Sequence, residues 1–152
     1  MFQQFSRALA GVTLFAALSQ SAWAASLPQV QVFKTRTCGC CSKWVDHMRA
    51  AGFDVKVTEV ESTAEARKKL GVPERLQSCH TAAVGGYAVE GHVPADDIKR
   101  LLASKENATG LAVPGMPMGS PGMEQGPNRQ AYSVVLFRGQ DDFTEYKRYP
   151  AK

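Results

Sequence analysis

Apolar and polar positions change their spacing along the first part of the chain, which predicts alternating strands and helices. Val30 to Thr35 reads as a strand, and Ser42 to Ala51 follows with apolar residues at helical spacing. Residues 53–60 alternate between apolar and polar, as in a strand with one buried face. A charged helix is predicted over residues 62–70, beginning with a capping-box pattern. The first part therefore predicts the order β-α-β-α.

The second part predicts two hairpins separated by a helix and a loop. Apolar runs at 81–84 and 87–90 flank a Gly-Gly pair, which is typical of a β-hairpin. Pro94 opens a helix with an acidic first turn. A Met-, Pro- and Gly-rich loop follows at 112–127, and a second hairpin spans 132–149. We predict an α/β, thioredoxin-like fold (β-α-β-α-β-β-α) with an appended C-terminal β-hairpin.

The first 24 residues have the pattern of a secretory signal peptide. Arg7 gives a positive start, and the apolar run from Ala8 to Leu18 is too short to span a bilayer comfortably. Ala22-Trp23-Ala24 matches a signal-peptidase site. We predict a signal peptide over 1–24 and one domain over 25–152, with no membrane span after cleavage. An uncleaved anchor is the alternative.

Charge excludes one large class of partner. Beyond the signal segment the chain keeps 17 of its 18 Lys and Arg residues and all 14 acidic residues. These charges are dispersed, without a basic run or an aromatic-interleaved patch. Nucleic acid is therefore not an expected partner.

Three of the four cysteines lie in the run Cys38-Gly39-Cys40-Cys41, at the predicted turn from strand to helix. Cys38 and Cys41 have the thioredoxin-type redox spacing, and a helix N-terminus stabilises thiolates. Adjacent cysteines cannot form a disulfide without strain, so two structural disulfides are not a good explanation of this spacing. Cys40 adds a third thiol, and three thiolates on one turn suit a soft metal ion.

Cys79 lies 38 residues beyond Cys41, just before the third predicted strand. In thioredoxin-like folds this junction faces the C-x-x-C turn, so we expect Cys79 to complete the site. Four crowded thiolates can bridge several Cu(I) ions, which accept low coordination numbers. A single tetrahedral zinc is less suited, because zinc ligands usually come as two separated pairs. A buried, inert Cys79 is the alternative.

Histidines and methionines are further candidates for metal ligands. His80 and His92 could be ligands, outer partners or ordinary surface residues, and strand alternation argues against His80 if Cys79 faces the metal. His47 is expected at the surface. Thioether sulfur also selects Cu(I). Three methionines occur in the loop without an apolar stripe, and packing over the sheet is their alternative role: Met116, Met118 and Met123.

Several motifs together resemble the CopG-type periplasmic copper-resistance family, long known only as a domain of unknown function. They are T-C-G-C-C-S-K-W, S-C-H-T, G-G-Y-A-V-E-G-H-V-P-A-D-D-I and G-L-A-V-P-G-M-P-M-G-S-P-G-M-E. The resemblance implies a thioredoxin-like fold, a periplasmic location and a cysteine-bridged multi-copper cluster. By position it implies four thiolate ligands, Cys38, Cys40, Cys41 and Cys79. It also suggests interconversion of copper oxidation states.

These observations lead to three functional hypotheses. The first is a periplasmic copper-binding protein for copper resistance and homeostasis, with a multinuclear Cu(I)–thiolate cluster as its cofactor. Its partners would be copper ions and another periplasmic copper-handling or redox protein, and a copper oxidoreductase activity is left open. The second is a thiol–disulfide oxidoreductase that uses Cys38 and Cys41. The third is a small iron–sulfur carrier, which would leave the methionine loop without a purpose.

Overall fold

Strands and helices alternate through most of the computed structural model, which describes residues 26–152. The signal-peptide prediction for residues 1–24 lies outside the described residues. In chain order the elements are β1 (Val30–Lys34), α1 (Gly39–Ala50), β2 (Val55–Glu59), α2 (Ala64–Lys69), a short 3-10 helix (Glu74–Leu76), β3 (His80–Val84), β4 (Tyr87–Glu90), α3 (Ala95–Ser104), β5 (Gly110–Ala112), β6 (Tyr132–Arg138) and β7 (Asp142–Tyr149).

All seven strands form one mixed sheet in the order β2-β1-β3-β4-β5-β6-β7. The pairs β1–β2 and β4–β5 are parallel, and the other four neighbouring pairs are antiparallel. The α/β class and the element order through α3 agree with the prediction. The C-terminal hairpin, β6 and β7, extends the sheet instead of covering an edge.

Strand β5 was not predicted, and its last residue, Ala112, was assigned to the methionine loop. A strand of three residues is too short to show a hydrophobic period, so the sequence pattern could not predict it. Its position depends on tertiary contacts: β5 lies between β4 and β6. Gly110 is required there, because the carbonyl oxygen of Ala88 occupies the place where a Cβ would be. The short strand joins the appended hairpin to the rest of the sheet.

The two faces of the sheet carry separate apolar clusters. Apolar residues of α1 and α3 pack with one set of strand residues to form the main core. A smaller cluster near the 3-10 helix takes the alternate strand residues, because successive side chains point to opposite faces. Trp44 and Met48 of α1 are fully buried in the main core. Burial of each large side chain stabilises the fold by roughly 1.5–3 kcal/mol, and the indole N–H of Trp44 also donates to the carbonyl of Val93 at 2.9 Å.

Strand register brings the two cysteine regions to one end of the sheet. Strands β1 and β3 run antiparallel, with Lys34 opposite His80. The last residue of β1 thus lies beside the first residue of β3, and the segments that flank them meet. No helix within residues 26–152 is long and apolar enough to cross a membrane.

Candidate metal centre

The cysteine run forms the first turn of α1. The helix begins at Gly39, three residues earlier than predicted, and Cys38 is its N-cap. The backbone N–H of Cys41 donates to the sulfur of Cys38 at 3.3 Å, which satisfies one of the free donors of the helix end. Cys38 and Cys41 are joined by a disulfide across a Cα–Cα distance of 5.4 Å. This side of the site is therefore built by local helix geometry.

The fold brings all four cysteines together, as predicted. Their sulfur atoms all lie within 4.8 Å of one another. Cys40 Sγ is 3.4 Å from Cys38 Sγ and 3.9 Å from Cys79 Sγ. Cys41 Sγ lies 3.6 Å from the carbonyl oxygen of Cys79. Cys40 and Cys79 are free thiols, so reduction of the single disulfide would present four thiols in one small volume.

His92 lies on the far side of Cys79 and is fully buried. Its Nε2 is 2.9 Å from Cys79 Sγ, and its Nδ1 is 2.7 Å from the carbonyl oxygen of Pro121. A carbonyl only accepts hydrogen bonds, so Nδ1 must carry a proton. Burial lowers the pKa of His92, which favours the neutral ring with a lone pair on Nε2. A carbonyl that orients the second ring nitrogen is the usual support of a metal-binding histidine.

His80 also contacts Cys79, contrary to the argument from strand alternation. Its Nδ1 is 3.4 Å from Cys79 Sγ. Alternation does not apply, because β3 begins at His80 and Cys79 lies in the bend before it. The ring is fully buried between Trp44 and His92, at centroid distances of 4.4 and 5.1 Å. Burial, with the neighbouring His92, lowers the pKa of His80 to about 3, so the ring is neutral at physiological pH.

The thiol of Cys79 has a strongly raised pKa. Burial, and then the neighbouring Cys40, raise the pKa of Cys79 to about 12. In the metal-free protein Cys79 therefore keeps its proton at neutral pH, and its S–H can donate to His92 Nε2. A bound cation would replace that proton, because thiols bind metals as thiolates. Cys79, His80 and His92 form a second group with ligand atoms within 4.8 Å.

Two of the three loop methionines lie near the cysteines. Met116 and Met123 line an open pocket of about 370 Å³ together with Cys40. Met116 is 54% exposed, the one large apolar side chain so exposed among the described residues. Met118 does not line this pocket, and its backbone instead exchanges hydrogen bonds with Gln130. The structure thus separates Met118 from the other two candidates.

The methionine loop packs directly on the first turn of α1. A Cβ at Gly122 would lie 2.8 Å from both the carbonyl oxygen of Cys40 and the backbone nitrogen of Trp44. The preceding residue, Pro121, accepts the hydrogen bond from His92. The loop therefore contacts both the helix that carries three cysteines and the histidine beside the fourth.

His47 lies only partly at the surface. Its side chain is half-buried, and its Nε2 accepts a hydrogen bond from the backbone N–H of Ala95 at 3.0 Å. This bond satisfies a free donor at the start of α3, whose N-cap is a proline without a side-chain acceptor. Burial lowers the pKa of His47, against the opposing effect of Glu124 and Asp96.

Two buried charged residues beside the site were not identified from the sequence. Glu90 is fully buried at the end of β4 and forms an ion pair with Arg67 at 3.2 Å. The available signal was a lone acidic residue that ends the otherwise apolar run Tyr-Ala-Val-Glu. That signal is weak, because an acidic residue at a strand end is usually solvated.

The fold and the site define a class of small α/β proteins with a thiol cluster at one end of a mixed sheet. Residues 76–123 match the family described as "Protein of unknown function, DUF411". No curated protein matches the chain. Two solved structures are similar, "Copper resistance protein copG" in its Form 1 and Form 2, both with 42% sequence identity and a TM-score of 0.75. The matches cover 81% and 82% of this chain, and 98% and 99% of those chains. This chain belongs to the CopG family of copper resistance proteins.

Proposed function

We propose that this protein binds copper as Cu(I) through the thiolates of Cys38, Cys40, Cys41 and Cys79, in a multinuclear cluster. The observation that carries the proposal is the convergence of four sulfur atoms within 4.8 Å. Soft thiolates favour Cu(I) over harder divalent ions. The names of the similar structures point to copper resistance as the biological role.

The disulfide makes the site sensitive to oxidation state. Reduction of the Cys38–Cys41 disulfide to two thiols takes two electrons and two protons. The reverse step, oxidation of the two thiols to the disulfide, gives two electrons to two Cu(II) ions, which become Cu(I), and releases two protons to solvent. Interconversion of copper oxidation states is therefore the redox activity that we propose for this site.

His92, Met116 and Met123 are the further ligands that we propose. His92 directs a lone pair at Cys79 Sγ, and the two methionines line the pocket that opens beside Cys40. His80 touches Cys79 as well, but its ring is enclosed in the core against Trp44. Met118 is assigned to loop packing.

We further propose that residues 1–24 direct export to the periplasm and that β1 to α3 form a thioredoxin-like unit. Secretion of the full chain, followed by N-terminal sequencing, tests the first part. A mature chain that begins at Ala25 is expected, and an intact N-terminus would contradict it.

Anaerobic metal analysis of the reduced protein tests the copper proposal. Several copper ions per chain are expected, with most of them lost when Cys40→Ser removes the central thiolate. A matched Ser42→Ala variant changes an exposed side chain on the same helix and should leave the copper content unchanged. Reduced protein that holds no copper at equilibrium with a Cu(I) chelator would contradict the proposal.

A thiol–disulfide oxidoreductase is the second candidate function, favoured by the disulfide between Cys38 and Cys41. This activity does not need Cys40. Disulfide-reductase turnover that persists in Cys40→Ser, in a protein that binds no copper, would favour it over the copper proposal.

A further inference from the structure

Glu90 and Arg67 form a buried ion pair near the segment that carries Cys79. Glu90 is fully buried, and the Arg67 side chain is only 12% exposed. Replacement of such a pair by apolar residues is often neutral or stabilising, so its presence is poorly explained by stability alone. The hydrogen bonds of the pair suggest what it does.

Both carboxylate oxygens of Glu90 bind the segment around Cys79. One oxygen accepts from the backbone N–H of Ser78 at 2.7 Å, directly before the cysteine. The other accepts from the hydroxyl of Thr81 at 2.6 Å, two residues after it. Thr81 and Glu90 are also direct partners in the β3–β4 ladder. Glu90 therefore holds the chain on each side of the Cys79–His80 pair.

Arg67 extends the same support from α2. Its guanidinium donates to the carbonyl of Ser78 at 3.4 Å and to the side-chain oxygen of Gln77 at 3.3 Å. These residues follow the 3-10 helix and precede β3, where no regular ladder orders the backbone. Side-chain hydrogen bonds from a buried ion pair therefore fix a segment that secondary structure leaves free.

A second set of contacts ties this segment to the methionine loop. The hydroxyl of Ser78 donates to the carbonyl of Gly115, and the N–H of Gly115 donates to the carbonyl of Gln77 at 3.1 Å. Ser78 packs directly against the backbone of Gly91, where a Cβ would lie 2.6 Å from Ser78 Cβ. Gly115 directly precedes Met116. The hydrogen bonds around Ser78 thus position both Cys79 and the start of the methionine loop.

We propose that Glu90 and Arg67 are positioning residues that hold Cys79 toward the cysteine run and so set the geometry of the four-sulfur site. The inference rests on the proposed copper function, because the site it serves is the thiolate site. Neither residue touches copper in this proposal. They act through the backbone of Ser78 and the side chain of Thr81.

Glu90→Leu tests the proposal, with Asp97→Leu as the matched control. Asp97 is also a buried carboxylate in a hydrogen-bonded network, but it binds Tyr149 on the C-terminal hairpin. Cu(I) affinity, measured by chelator competition, should fall about tenfold in Glu90→Leu and stay within twofold in Asp97→Leu. Glu90→Gln keeps an acceptor for Ser78 and should recover most of the affinity.

Alkylation of the copper-loaded protein supplies a readout that a purely structural role would not change. Cys79 should become reactive in Glu90→Leu while the three cysteines of α1 stay protected. Equal loss of affinity in Glu90→Leu and Asp97→Leu, or full protection of Cys79, would overturn the inference. If Glu90→Leu does not fold, Thr81→Val removes one hydrogen bond and should still raise Cys79 reactivity.

The same experiment separates the two proposals. A wild-type protein that binds no Cu(I) contradicts the proposed function. A wild-type protein that binds Cu(I), with unchanged affinity and protection in Glu90→Leu, contradicts only the positioning role.

Discussion

The two sides of the candidate metal centre are built in different ways. On the helix side, three cysteines occupy one turn, and the N-cap geometry of α1 orders them. On the other side, Cys79 contacts His92, which follows β4, and His92 in turn donates to the carbonyl of Pro121 in the methionine loop. The first side depends on neighbours in sequence. The second depends on three segments that only the sheet brings together.

The two sides also differ in the chemistry of their sulfur atoms: one side has a disulfide, and the other has a protonated thiol. The helix side holds a disulfide between half-buried Cys38 and buried Cys41, whose Cα atoms lie 5.4 Å apart at the start of α1. The assembled side holds a thiol whose pKa is raised by burial and which bonds to a buried imidazole. We therefore expect the disulfide to form without the assembled side, whereas copper binding should need thiolates from both sides.

Cys79→Ser should have the largest effect on copper binding. It removes the only sulfur ligand of the assembled side, so Cu(I) affinity should fall at least about 100-fold. Changes to residues that only hydrogen-bond to a ligand usually cause smaller losses. Chelator competition measures the affinity, and thiol counting measures the disulfide. The Cys38–Cys41 disulfide should still form at the wild-type potential. Loss of that disulfide in Cys79→Ser would show that the helix side is not independent.

Gly122→Ala tests the contact between the loop and the helix. The new Cβ would approach Cys40 and Trp44 at 2.8 Å, at a φ of +86°. We expect a loss of about 3 kcal/mol in the free energy of unfolding, from strain and displacement of the loop together. Urea denaturation measures it.

Gly126→Ala is the matched control for that loop contact. Gly126 has nearly the same φ, +88°, but a Cβ there meets nothing within 4 Å. It should therefore lose only the conformational part, about 1 kcal/mol. Equal losses in the two variants would mean that the Gly122 contact contributes nothing beyond its backbone conformation.

Met116 and Met123 test whether thioethers beside Cys40 add to the Cu(I) affinity of the site. Leu at both Met116 and Met123 keeps the apolar volume but removes two thioethers, so Cu(I) affinity should fall about tenfold. Met118→Leu should leave it unchanged, because Met118 does not line the pocket beside Cys40. Chelator titrations of the three proteins check this, and equal affinities would assign all three methionines to packing.

His47, which accepts a hydrogen bond from the first residue of α3, should have a smaller effect. Its lowered folded pKa means that, below about pH 6.5, the unfolded chain binds more protons at this position. Stability should therefore fall as the pH falls through and below that value. His47→Gln should flatten this dependence by less than about 1 kcal/mol, since the ring is partly exposed and Glu124 and Asp96 oppose the shift.

Urea denaturation of metal-free, oxidised protein at pH 7 and pH 5 measures the His47 effect. His80 and His92 are present in both proteins, so their contributions cancel in the comparison. An identical pH dependence in His47→Gln and wild type would contradict the role of His47 at the start of α3.

Much of the fold could be predicted because periodicity reports local structure. The order of elements from β1 to α3 and the presence of a C-terminal hairpin follow from apolar periodicity, turn residues and a helix-opening proline. Strand β5 could not be found this way, since Gly110 to Ala112 acquires its conformation from β4 and β6 on its two sides. The hydrogen bond of His47 could not be predicted for a similar reason: its partner, Ala95, belongs to another helix.

By itself the sequence determined where the thiols lie along the chain: three at the turn into a helix, and a fourth just before a strand. Only the tertiary structure decided which groups surround that fourth cysteine. His92, Pro121 and Glu90 reach Cys79 or its neighbours because of strand pairing and loop packing. Spacing along a chain specifies contacts within a helix turn, about four residues apart. Contacts across a sheet depend on register, which hydrophobic burial of the whole domain selects.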